Sequence, residues 1–405
     1  MGVARDGGPH RRPCLARVVR DPDDFAGQAW GRRAVLSRTV DLPRPFADLL
    51  DQPAVDELVS RRGLRTPFLR VARSGSTLPE RDFTAGAGTG AGIADQVSDD
   101  KLARLFADGA TLVLQGLHRL WSPLIDFTQG LAADLGHPVQ ANAYVTPPAN
   151  RGFAAHYDVH DVFVLQTHGR KRWQIHEPVH PWPLRDQPWD ARRSAVEKAA
   201  IAEPVLDEVL EPGDCLYLPR GWLHAATALG EVSTHITVGV HTWTRYTVAE
   251  RLLRAALADL AVDESLRASL PLGVDVGNPA ELAGEVDAVR QALARAVGTV
   301  GVERLAGDLQ AAARSAQRAA PLGPLAQHDA AAELVQGDEL VLRGHLLADV
   351  VQRGARWLLV SRSGEVPLEA GDVEPVRDLL RDGQMWVHDV SLARRLVLAG
   401  VTIRQ

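Results

Sequence analysis

Lysine is nearly absent from this chain. Only Lys101, Lys171 and Lys198 stand among 405 residues, while Lys and Arg together number 45. Arginine carries almost all the positive charge, the usage of a GC-rich genome, so each lysine merits inspection. Cysteine is as scarce: Cys14 and Cys215 lie far apart in sequence, which excludes a disulfide framework and a cysteine-based zinc site and fits a reducing compartment. No apolar run reaches the eighteen or so residues that span a bilayer, and the N-terminal arginines precede no apolar signal core. A membrane protein is therefore not expected, and a cytoplasmic location is. A formal net charge of -6 and a pI near 6.2 argue against a broad electrostatic grip on nucleic acid.

With 45% hydrophobic and 24% charged residues, the composition is that of a globular protein with a large core. The length exceeds what one core sustains, so two or three domains are expected. Residues 1–23, rich in Gly, Arg and Pro at the start, read as a flexible tail. From Asp24 to about Gln115 short apolar runs alternate with helical stretches such as Lys101 to Ala107, interrupted by a glycine-rich loop near residues 85–98, read as mobile. A helical spacing over Trp121 to Leu135 precedes short strand-like segments: Ala141 to Val145, Val162 to Gln166, Arg172 to His176, Val205 to Val209, Cys215 to Leu218 and Thr234 to Val240. Turn signals separate them, the pattern of a sandwich or barrel. Beyond Thr244, Val248 to Leu260, Ala280 to Val297 and Val302 to Ala319 have helical periodicity and read as a bundle or dimerisation module. Pro-Leu-Gly-Pro at 321–324 marks a boundary. The last eighty or so residues mix strands (Leu340 to Leu342, Trp357 to Val360) with helices (Val373 to Arg381, Ser391 to Ala399) in a winged-helix-like arrangement. Its acids outnumber its bases, so no direct DNA binding is expected of it.

The chemistry concentrates in two segments. In Phe153-Ala-Ala-His156-Tyr-Asp158, residues two apart on an extended chain share a face, so His156 and Asp158 can offer an imidazole and a carboxylate to one ion. In Pro212-Gly-Asp214-Cys-Leu-Tyr-Leu-Pro219-Arg-Gly-Trp-Leu-His224, a Gly-Asp turn feeds a strand that ends at a proline and delivers His224, a third ligand if the strand pairs back across the barrel. Two histidines and one carboxylate on one face of an octahedron leave three open positions, which suits iron(II) binding a chelating co-substrate and dioxygen better than it suits zinc.

These two segments, Asn142 to Trp173 and Pro212 to Thr237, resemble the JmjC/cupin oxygenases, in particular the ribosomal oxygenase group of protein hydroxylases. Phe25 to Leu36, with Trp30 before Arg32-Arg33-Ala-Val-Leu, resembles that group's N-terminus, and the resemblance extends over most of residues 24–400. It implies an α+β protein: a double-stranded β-helix (jelly-roll, cupin/JmjC) catalytic domain over 24–244 with an N-terminal α/β elaboration, a helical dimerisation region over 245–320, and a winged-helix-like domain over 325–405. It also implies an Fe(II)- and 2-oxoglutarate-dependent dioxygenase, using O2, with His156, Asp158 and His224 as metal ligands. Lys171 stands where the family's lysine binds the distal carboxylate of 2-oxoglutarate, a sensible use of an ammonium in a partly dry pocket. Asn142, Tyr144 and Thr237 match positions that line the co-substrate pocket. Gly239 stands where related enzymes can carry a serine, which implies one pocket hydrogen bond missing or replaced.

By the same analogy the substrate is a side chain of a ribosomal protein and the enzyme a homodimer. A modified tRNA base, a peptide natural product, or a non-catalytic metal-binding scaffold are the other readings, the last disfavoured by a co-substrate anchor that a scaffold does not need. Elsewhere, His176 and His180 have the spacing of zinc-protease helices, but Pro178 between them opposes a helix. His160 and Asp161 are candidates to orient the ligands or touch substrate, the face of His235 is ambiguous by parity, and Trp173 and Trp222 read as barrel core.

Overall fold

A computed structural model describes residues 12–405 apart from 74, 87, 90, 91, 149 and 151–153. The chain divides into two compact units, Met1–Thr242 and Trp243–Gln405.

The first unit contains thirteen strands: β1 (Val35–Ser37), β2 (Leu69–Arg73), β3 (Ser76–Thr77), β4 (Thr84–Ala85), β5 (Gln96–Val97), β6 (Thr111–Leu114), β7 (Val139–Thr146), β8 (Asp161–His168), β9 (Lys171–His176), β10 (Leu206–Leu210), β11 (Cys215–Leu218), β12 (Leu223–Ala228) and β13 (Ser233–Val240). An eight-stranded sheet runs β1-β11-β8-β13-β7-β6-β2-β3, and a three-stranded sheet β10-β9-β12. All pairings within these two sheets are antiparallel. This is the double-stranded β-helix that the sequence predicts. Alternation makes its two faces: on β13, Ile236, Val238 and Val240 enter the main core, while His235, Thr237 and Gly239 point the other way by strand periodicity. Helix Ser122–Leu135 packs Leu124, Phe127 and Leu131 into the same core.

Two expectations are corrected and a third lies partly outside the described residues. Of the flexible tail expected over residues 1–23, residues 1–11 lie outside the described residues. From residue 12 the chain turns back on the core, burying Leu15, Val18 and Val19, and the Asp134 carboxylate accepts from the amides of Cys14 and Leu15. In the glycine-rich stretch residues 87, 90 and 91 also lie outside the described residues; around them β4 and β5 pair as a two-residue ribbon. Finally, His156 to His160 is not a strand but a single bridge followed by irregular chain.

The second unit opens with helices Arg245–Leu260, Pro279–Thr299 and Val302–Ala316. They bury small residues, Ala255, Ala256, Ala292 and Ala296, and leave Tyr246, Leu253, Leu257 and Val289 exposed. Two three-stranded sheets follow, β18-β14-β19 and β15-β16-β17, made of β14 (Glu339–Leu342), β15 (Ala348–Arg353), β16 (Arg356–Ser361), β17 (Gly364–Leu368), β18 (Gln384–Trp386) and β19 (Thr402–Arg404). Helices Pro324–Glu333, Val373–Asp382 and Val390–Leu398 pack with them around Leu340, Leu359, Leu379 and Leu396. Among the described residues no helix is long and apolar enough to cross a membrane.

The turn between β8 and β9 sets the position of Lys171. Gly169 has φ +61°, and a Cβ there would lie 2.1 Å from the Val232 carbonyl oxygen. Gly169→Ala combines a left-handed penalty with a backbone clash, so a loss of at least about 2 kcal/mol is expected in denaturant unfolding.

Candidate metal centre

The cavity of the first unit lies between the two sheets. Tyr144 from β7, Val162 and Val164 from β8, and His235 and Thr237 from β13 face Lys171 and Trp173 from β9 and His224, Ala225 and Ala226 from β12; His156 and Asp158 complete the wall. It encloses about 60 Å³, room for a small molecule of several heavy atoms.

His156, Asp158 and His224 each bring one potential ligand atom to within 4.8 Å of the others, the one such group of three found among the described residues. The backbone does this. The amide of His156 donates to the His224 carbonyl at 3.2 Å, the amide of His224 returns to the His156 carbonyl at 2.9 Å, and the amide of Gly221 donates to the Asp158 carbonyl at 3.0 Å. Between the two ligands Tyr157 turns away, is buried with Val196 and Leu223, and donates its hydroxyl to the Gln187 carbonyl. That contact fixes which way His156 and Asp158 point. Gly221, at φ +90°, allows the loop before His224 to pass the His180 carbonyl, which a Cβ would approach to 2.7 Å.

The ring orientations suit a metal. Nδ1 of His156 lies 2.8 Å from the Ala154 carbonyl and Nδ1 of His224 lies 3.1 Å from the Trp222 carbonyl. A carbonyl can only accept, so each Nδ1 carries the proton and each Nε2 the lone pair, the arrangement found around metal-bound histidines. Nε2 of His224 stands 3.7 Å from Asp158 Oδ2. Burial, with the neighbouring His156, lowers the His224 pKa to about 4, so this ring is neutral at pH 7. Burial alone would raise Asp158, but the imidazoles of His160, His224 and His156 outweigh it and hold the carboxyl below its usual range. Two imidazoles and one carboxylate match a 2-His-1-carboxylate donor set, and all three side chains line the same cavity.

Of the residues singled out in the sequence, His156, Asp158, His224, Lys171, Tyr144 and Thr237 meet at this cavity, and Asn142 does not line it. Its Oδ1 accepts from the amide of Gly116, the left-handed residue before helix Leu117–Leu120. Lys171 is 2% exposed, donates to Thr146 Oγ1 at 3.1 Å, and forms no ion pair among the described residues. Asp161 is structural: it accepts from the Tyr217 hydroxyl and the Arg220 amide, tying the start of β8 to the loop that leads to His224. Gly239 marks something other than a lost hydrogen bond, since a Cβ there would meet His160 Cε1 at 2.9 Å; its absence makes room for the imidazole. Trp173 is core and cavity wall at once. His180 binds Gln187 Oε1 and belongs to no metal cluster among the described residues. The sequence reading left the face of His235 open and did not name Thr146. Strand parity with Thr237 would have found the first, once the bounds of β13 were known.

Residues 126–248 match the family model described as JmjC domain. Among curated proteins the chain is similar to the bifunctional lysine-specific demethylase and histidyl-hydroxylase NO66 of Drosophila erecta, 40% identical over 162 residues, 39% of this chain and 23% of that protein. It is also similar to ribosomal oxygenase 1 of Gallus gallus, 31% identical over 258 residues, 62% of this chain and 40% of that one. The chain thus spans less than half the length of the curated relatives it matches. Among solved structures, the Escherichia coli ribosomal oxygenase YcfD in complex with cobalt and 2-oxoglutarate superposes with a TM-score of 0.53 at 19% identity, over 96% of this chain and 99% of YcfD. That likeness carries the fold.

Burial lowers the Lys171 pKa from 10.5 to about 7. Between those values the unfolded chain binds the proton that the folded chain has lost, so stability tied to this group is least below pH 7 and rises with pH toward 10.5. In metal-free, ligand-free protein, Lys171→Met should therefore gain thermal stability over wild type at pH 6 and lose most of that advantage by pH 9. An advantage independent of pH would show that the amine is not desolvated as the structure has it.

Proposed function

We propose that this protein is an Fe(II)- and 2-oxoglutarate-dependent dioxygenase that hydroxylates a protein side chain, its substrate a ribosomal protein. The observation that carries this reading is the juxtaposition of the His156, Asp158 and His224 donors with a buried amine, Lys171, in one small cavity. The names of the relatives, ribosomal oxygenase and histidyl-hydroxylase, support the choice of substrate class.

In this reading His156, Asp158 and His224 hold the metal, and Lys171 holds the far carboxylate of 2-oxoglutarate, with Tyr144 and Thr237 beside it. Iron(II) with 2-oxoglutarate and dioxygen supplies the oxidising power, yielding succinate and carbon dioxide as an oxygen atom enters a C–H bond. The chain's own contribution is placement. The carbonyls of Ala154 and Trp222 fix the ligand tautomers, the sheets exclude bulk water, and the Tyr144 hydroxyl stays protonated because burial raises its pKa to about 12. Lys171 receives a dicarboxylate as a proton-linked partner: binding of the anion raises the affinity of the amine for its proton.

The remaining assignments follow the same reading. Residues 24–244 form the catalytic domain, residues 245–320 a dimerisation region, residues 325–405 a winged-helix-like domain, and the protein works in the cytoplasm. The apolar side chains left exposed on Arg245–Leu260 and Pro279–Thr299 support a homodimer. Small-angle scattering should give twice the chain mass of 43.8 kDa; a monomer mass removes the dimer and leaves the chemistry untouched.

The decisive experiment admits air to anaerobically prepared protein with iron(II), ascorbate and 2-oxoglutarate and follows succinate. Wild type should form it, with a +16 Da product among ribosomal proteins, and His156→Ala and Asp158→Ala should fall to background. No succinate from wild type, even with ribosomal extract, would favour a metal-binding scaffold instead.

A further inference from the structure

His235 is 3% exposed and lines the cavity. Its ring lies flat against Tyr144, centroids 5.0 Å apart and planes within 2°, and meets the edge of Trp173 at 5.4 Å. Two rings therefore fix its orientation. Its Nδ1 is buried and has no hydrogen-bond partner among the described residues. The indole Nε1 of Trp173, on the facing sheet, is likewise buried without an acceptor among the described residues. Buried polar atoms almost always find a partner, so one that lacks it while its side chain lines a cavity is open to a ligand there. Lys171, next to them, is a buried ammonium whose one partner among the described residues is a hydroxyl. Unpartnered polar groups from both sheets and a buried amine thus line the cavity that His156, Asp158 and His224 also line.

We infer that His235 is a positioning residue for the co-substrate: its Nδ1–H donates to the distal carboxylate that Lys171 neutralises, and so sets the preference for a 2-oxo diacid over a 2-oxo monoacid. This rests on the preceding reading of the site. A neutral donor is the suitable complement here. One cation already matches the distal carboxylate, and a second in the same dry cavity would be repelled, whereas an imidazole adds direction without charge. Burial and the nearby Lys171 hold the His235 pKa well below its ordinary value, consistent with that neutral state. The stack on Tyr144 supplies rigidity, so little ordering remains to be done when the ligand arrives.

The test separates the N–H from the ring. Protein loaded with cobalt(II), an inert stand-in for iron, is titrated calorimetrically with 2-oxoglutarate and with 2-oxopentanoate, which has the same five carbons and a methyl in place of the distal carboxylate. Cobalt absorption of each variant confirms that the fold and the metal ligands are intact. His235→Phe keeps an aromatic ring beside Tyr144 and removes the donor; it should bind 2-oxoglutarate about ten- to a hundredfold more weakly and 2-oxopentanoate unchanged. His235→Asn keeps a donor and loses the stack; it should bind 2-oxoglutarate more tightly than His235→Phe does. The reverse order, or equal losses for both ligands, would make His235 a packing residue and overturn the inference. If wild type itself binds cobalt but no 2-oxoglutarate, the proposed function fails first, and that result is distinct from either order of the variants.

Discussion

The candidate site depends on one pair of backbone hydrogen bonds, exchanged between His156 and His224. Sixty-eight residues of chain separate the two histidines, yet each donates its amide to the carbonyl of the other, and their rings end 4.4 Å apart. A metal cluster assembled from side chains alone would have to order long, flexible groups at the moment of binding. Here the ordering is done by a single backbone bridge, which also satisfies polar backbone groups on both sides. Asp158 is drawn into the same frame by the Gly221 amide. Asp161 braces the arrangement from behind, because the hydroxyl of Tyr217 on β11 and the amide of Arg220 converge on its carboxylate.

Around this frame the interior of the jelly-roll is polar where a packed barrel would be apolar. Lys171, His235 and His224 are all more than nine-tenths buried, and isolated groups of this kind are costly to desolvate. The chain limits the penalty by keeping both histidines neutral and by pulling Lys171 toward its uncharged form. Such a cavity gains stability from a ligand that brings the missing charges, since a dianion and a divalent cation restore the partners the protein withholds. The same withheld partners are what make the site selective, because a ligand lacking one carboxylate leaves a buried donor unmatched.

Most of the barrel was legible because its strands are short and bounded by Gly and Pro turns; β7, β8, β9 and β13 extend the predicted segments by only a few residues, and β11 coincides with its own. β12 was not. Leu223-His-Ala-Ala-Thr-Ala has little intrinsic strand preference, and its extended form is imposed by pairing with β9. The chain after residue 12 was misread for a related reason. Its composition suggests a tail, and its burial depends on the Asp134 carboxylate, a partner 120 residues away that no local pattern announces. The cluster of His156, Asp158 and His224 was legible because His-x-Asp and the later Pro-x-Gly-Trp-x-His record local turns. The departures, Asn142 bonded to Gly116 and His235 turned inward, are questions of side-chain direction that a one-residue shift in strand bounds reverses.

The three lysines show how composition can guide and mislead. All else being equal, a chain that writes its positive charges as arginine has a reason where it does not. Lys171 fits: a guanidinium is always charged and needs several acceptors, whereas an amine can shed its proton in a dry wall and regain it when a carboxylate arrives. Lys101 obeys a different logic, its ammonium capping the carbonyls of Arg81 and Thr84 at 3.0 and 2.7 Å, a compact role in which a planar fork would not fit as well. Lys198 sits in the last turn of helix Arg193–Ala199, where any cation serves the helix dipole. Rarity therefore directs attention to a residue, and only burial and partners distinguish a ligand anchor from a clamp or a cap.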